Sequence, residues 1–131
     1  MKSLASVMVA IVALEHLWFL IVEMFLWQGP IGLKTFNLTP EFAAETAALA
    51  ANQGLYNGFL AAGLLWSLMS KSNAFDLKIF FLGCVVVAGL FGAATVSPRI
   101  FFVQGIPACF ALVLVFMTRP GRDSEAAHSQ K

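Results

Sequence analysis

The chain has 131 residues, 60% of them hydrophobic and 11% charged, with a net charge of +1 and a mean hydropathy of +0.83. Soluble domains carry about 25% charged residues, so this composition reads as a single integral membrane domain; the net charge says nothing about nucleic acid, and without a basic stripe or aromatic-basic interleaving no nucleic-acid partner is expected. The two cysteines, Cys84 and Cys109, sit in apolar runs without a C-x-x-C pair, so neither a metal nor a redox cofactor is expected.

The first segment, residues 4–27, reads LASVMVAIVALEHLWFLIVEMFLW. As a helix it reaches roughly 36 Å, against a hydrocarbon core of about 30 Å. It carries three ionisable groups and no small-residue cleavage site follows it, so it reads as a retained span and not a signal peptide. Gln28-Gly29-Pro30 ends it, and GPIGLKTFNLT reads as a loop. Thr39-Pro40-Glu41 has the chemistry of a helix start: a capping hydroxyl, a proline at the first helical position and an acid at the positive end of the dipole.

The second helix is expected over 40–70. Its Ala-rich beginning sits at or beyond the interface, and the crossing proper starts near Leu49. Ser70-Lys71-Ser72-Asn73 breaks the chain, and a third helix is expected over 74–96, with small residues along it that permit close helix approach in lipid. Ser97-Pro98-Arg99 is a turn, and a fourth helix is expected over 100–118 with Gln104 and Pro107 inside it. Residues 119–131 form a polar tail containing His128, with the composition of a disordered terminus.

Four spans with short connections make an all-α, up-down-up-down four-helix transmembrane bundle over residues 1–118. Lys2, Lys71, Lys78, Arg119, Arg122 and Lys131 fall on one side, and Lys34 and Arg99 on the other. The positive-inside rule then places both termini and the tail in the cytoplasm. The segments do not repeat one another, so an inverted-repeat transporter within one chain is not expected.

Polar residues in these spans are the functional candidates, because ionisable groups at membrane depth each cost roughly 2.5 kcal/mol or more unless paired or wetted. Glu23 and His16 are seven residues apart and share a helix face to within about 20°. Counting depth from the helix ends puts Asn52 and Gln53 near the level of Glu23, and Tyr56 and Asn57 near that of His16, with Gln104 entering from the fourth helix. These residues outline an outward-facing polar pocket. Glu15 projects about 100° away from His16 and has a separate potential role, exchanging a proton for a cationic substrate. Each residue also has a structural reading: amides as interhelical glue, Glu23 reaching the interface, His16 as a neutral core histidine.

The run E-H-x-x-F-x-x-x-E, Glu15-His16 to Glu23, followed by NQGLYNGFLAAGLLW, resembles the small bacterial integral membrane proteins of family thirteen-oh-four of the domains of unknown function. The likeness extends to about Met117 and is most specific over Asn52 to Gly58. It implies four membrane helices in a bacterial inner membrane and brings with it no reaction or catalytic residue.

The expected function is binding or transport of a small amphiphilic or cationic molecule by Glu15, His16, Glu23, Asn52, Gln53, Tyr56, Asn57 and Gln104, in a homo-oligomer embedded in lipid. The alternatives are an intramembrane isomerase or epimerase with His16 and Glu23 as acid and base, and a purely structural membrane protein.

Overall fold

A computed structural model describes residues 1–119, and among these every regular element is helical. The elements are α1 (Lys2–Phe25), α2 (Pro30–Phe36), α3 (Pro40–Met69), α4 (Ala74–Thr95), a π-helical turn (Phe101–Gly105) and α5 (Ile106–Met117). The greater part of the polar tail and His128 lie outside the described residues.

The expected loop after the first span is itself partly helical. Pro30 opens α2 at a position where its missing N–H is not needed, and Asn37, left-handed with φ 53°, closes it by donating its N–H to the Leu33 carbonyl. α1 ends at Phe25, two residues short of the expected Trp27, because Leu26–Gly29 turns the chain into α2. α3 begins as its sequence requires: the Thr39 hydroxyl accepts from the Phe42 N–H at 3.3 Å, ahead of Pro40 and Glu41. The Ser70–Asn73 break is closed by the Asn73 N–H donating to Ser70 Oγ at 3.2 Å. The last helix departs from expectation in its first turns. Ile106 donates to the Phe101 carbonyl, five residues back, and Pro107 follows with no N–H to offer.

α1 and α4 are long and apolar enough to cross a membrane, and Phe101–Met117 is apolar but shorter. The side-chain distribution is inverted relative to a protein folded in water. Ala5, Ala13, Ala43, Ala50, Ala61, Ala108 and Ala111 are buried, while Trp18, Phe25, Trp66, Phe80, Phe91 and Phe102 are exposed. Small residues inside let helices approach, and large apolar ones outside suit hydrocarbon.

The chain divides into two compact units. The first joins Met1–Val12 to the chain from Gly63 onward. Within it α4 and the last helix meet at two glycines: a Cβ on Gly89 would lie 3.1 Å from the Gly105 backbone. Gly63 lies under the Phe81 ring, Phe75 meets Phe116 edge to face, and Lys78 Nζ donates to Ser6 Oγ at 3.4 Å. The second unit, Ala13–Ala62, holds most of the polar residues singled out above.

Candidate functional site

α3 carries Gly54 and Gly58 one turn apart, G-x-x-x-G spacing, and both face α1. A Cβ on Gly54 would stand 2.7 Å from Met24 Cγ, 3.0 Å from Glu23 Cβ and 3.2 Å from the Leu20 carbonyl oxygen. One on Gly58 would meet Leu20 Cδ1 at 2.5 Å. The absent side chains thus bring the two helices together at Leu20–Met24.

Asn57 lies between these glycines on the same helix, and the close approach delivers it to Glu23. Its Nδ2 donates to Glu23 Oε2 at 2.7 Å, the length of a charge-assisted bond. Both residues are buried, Glu23 at 8% exposure and Asn57 at 5%. The amide is a neutral donor, so the pair as a whole carries either the carboxylate's charge or its proton. His16, 1% exposed, is on the buried side of α1 and meets Phe19 edge to face. Every buried side-chain nitrogen and oxygen among the described residues has a hydrogen-bond partner.

Just beyond the C-terminal end of α1 the α1–α3 pair is fastened by Trp27. The indole N–H donates to Thr46 Oγ1 at 3.2 Å, and the ring packs on Phe36 of α2 at 4.8 Å between centroids. Thr46 in turn donates to the Phe42 carbonyl at 2.6 Å. Gly32 sits against the Leu26 and Trp27 carbonyls, so that α2 folds back on the end of α1.

Of the eight candidates, the structure joins two directly, Glu23 and Asn57, and buries His16 with them on α1's inner side. The expected pairing of Asn57 with the His16 level is off by about two turns of α1: Asn57 meets Glu23, seven residues along, instead. Tyr56 is 53% exposed, and Asn52 and Gln53 are exposed as well. Glu15 is half-buried. Gln104 belongs to the other unit, half-buried in the π-helical turn. Gly54, Gly58 and Trp27, which hold the pair together, were not among the sequence candidates. The G-x-x-x-G spacing was the signal that marked the first two.

The family described as protein of unknown function (DUF1304) matches residues 10–116. An uncharacterised protein, YpaA of Lactococcus lactis subsp. lactis (strain IL1403), is 27% identical over 118 residues, covering 88% of this chain and 99% of the relative. No solved structure matches.

Proposed function

The chain belongs to the DUF1304 family, and from that premise we propose that it is a multi-pass inner-membrane protein whose Glu23–Asn57 pair anchors an outward-facing polar site for a small cationic or amphiphilic molecule, bound or transported there. The observation that carries this reading is the buried carboxyl group itself, held by a neutral amide at 2.7 Å. A cationic ligand supplies the charge compensation that Asn57 does not, and a proton taken up by Glu23 releases it. His16, on the same face two turns deeper, would contribute a polar floor, and Gln53 and Tyr56 the rim.

The four-helix bundle with both termini in the cytoplasm belongs to the same proposal. The Lys78–Ser6 hydrogen bond sets the beginnings of α1 and α4 at one level, as two spans crossing in the same direction require. The chain between them must then return once. α3, with 30 residues and so about 45 Å of reach, has the length to do so despite its polar face. The inverted distribution of small and large apolar residues supports lipid as the solvent. An isomerase using His16 and Glu23 is the weaker reading, since two helical turns put roughly 10 Å between acid and base.

Native mass spectrometry of the protein released from mild detergent tests the reading. The wild type is expected to carry a discrete small-molecule adduct that Glu23→Gln loses while keeping the same oligomer. The same adducts in both proteins, or none in either, would reject a ligand site at Glu23.

A further inference from the structure

Glu15 and Trp18 lie one turn apart near the middle of α1, a helix long enough to cross the bilayer. Glu15 is half-buried, and Trp18 is 46% exposed. Among the described residues neither the carboxyl group nor the indole N–H takes part in a hydrogen bond or ion pair. Tryptophan in membrane proteins normally sits at the interface, where its N–H is wetted. At mid-span there is no water for it, nor for the carboxyl group. One group is purely a donor, and the other is an acceptor in either protonation state.

The surrounding face is apolar and uncovered. Ile11, Leu14, Ile21 and Phe25 are exposed, and with Trp18 they recur at intervals of four and three. Lipid satisfies those side chains equally well, but it offers nothing to Glu15 or Trp18. A second copy of the same helix does. In a two-fold symmetric interface residue i meets j and j meets i, so an unpaired donor and an unpaired acceptor on one face are both satisfied at once. The intervals of four and three are those of a left-handed helix pair crossing near +20°.

We propose that this face of α1 is the interface between two copies of the chain, with Trp18 Nε1 of each donating to the Glu15 carboxyl group of the other. This dimer does not depend on what Glu23 binds.

The test uses the full chain in lipid vesicles, with Cys84 and Cys109 replaced by alanine. Leu14→Cys on α1 is expected to give a disulfide-linked dimer on mild oxidation. Val87→Cys, exposed on α4, is expected not to. Energy transfer between labelled copies, followed against dilution in lipid, is expected to show association weakened about tenfold by Trp18→Phe and by Glu15→Leu, the scale of interhelical hydrogen bonding in a membrane. Glu15→Gln keeps an acceptor oxygen and is expected to remain near wild type. Because cross-linking at Leu14 leaves both polar groups intact, it stands even if Glu15→Leu fails to fold. Monomers at every dilution, cross-linking at Val87 in preference to Leu14, or association indifferent to Trp18→Phe would each overturn the proposal.

Discussion

Asn57 donates to Glu23 across 34 residues of sequence and at a heavy-atom distance of 2.7 Å, and the contact exists because the residues on either side of it on α3's inner face have no side chains. Position and chemistry are therefore linked: the two glycines set the distance, and the amide occupies it.

Removing the amide strands the carboxyl group. Asn57→Leu is expected to destabilise the protein by about 1–3 kcal/mol, the cost of leaving a buried polar group unsatisfied. Glu23→Gln retains an oxygen that accepts from Asn57 and is expected to cost less. Equilibrium unfolding in mixed detergent micelles checks the order, and a double-mutant cycle with Glu23→Leu and Asn57→Leu is expected to show a coupling of about 0.6–2 kcal/mol. Strictly additive effects would mean that the bond contributes nothing.

The two glycines should not be equal. An added methyl at Gly54 is met by Glu23 Cβ and the Leu20 carbonyl, neither of which moves without its backbone. At Gly58 the obstacle is the flexible tip of Leu20. Gly54→Ala is expected to cost about 1–3 kcal/mol and Gly58→Ala clearly less. Thermal melts of the two variants, with Leu20→Ala tested as a rescue of Gly58→Ala alone, distinguish the cases.

A similar contrast holds in the other unit. Gly89→Ala presses on the Gly105 backbone at 3.1 Å, while a Cβ at Gly83 meets nothing within 4 Å. Gly83→Ala is expected to raise stability by up to about 1 kcal/mol through helix propensity, and Gly89→Ala to lower it. Melting temperatures that move in the same direction would contradict this account of the α4–α5 contact.

Trp27→Phe keeps a ring against Phe36 and loses only the bond to Thr46. The expected loss is about 0.5–1.5 kcal/mol, concentrated in α2. Hydrogen exchange should therefore quicken at Leu33 and Leu38, whose N–H groups bond within that connection, before it changes in the middle of α3.

Helix ends were legible wherever side-chain chemistry punctuates the backbone. Thr39-Pro40-Glu41 opens α3, and Ser70–Asn73 separates α3 from α4. α2 was not legible, because Pro30 begins a short helix as readily as it ends a long one. That Glu23 and His16 lie on one buried face followed from spacing alone. The partner of Glu23 did not. Depth counted from an assumed start of the crossing at Leu49 puts Gln53 beside Glu23. The register is set instead where Gly54 and Gly58 let the backbones close on Leu20–Met24, and there Asn57, one turn past Gln53, meets Glu23. The G-x-x-x-G of Gly54 and Gly58 was present in the sequence, but α4 carries as many small residues, so composition alone does not say which helices pack closely. The exposure of Asn52, Gln53 and Tyr56 lay beyond sequence reasoning, since a helix with polar groups on several sides does not show which side faces its neighbour.

The π-helical turn at Phe101–Gly105 has a consequence for how this chain tolerates changes of length. Such a turn is an α-helix holding one residue too many. Deleting one residue there, Val103 for instance, is expected to restore ordinary α-helix and to leave Ala108, Ala111 and Val115 on the buried side of α5. The preceding turn, Ser97–Ile100, is expected to keep its facing as well, because the surplus residue is held within the bulge. Elsewhere in a helix the same deletion rotates one buried stripe out of alignment with the next. The surplus residue is thus a store of slack, and Phe101–Gly105 is a place where the loss of one residue is absorbed as the loss of a bulge.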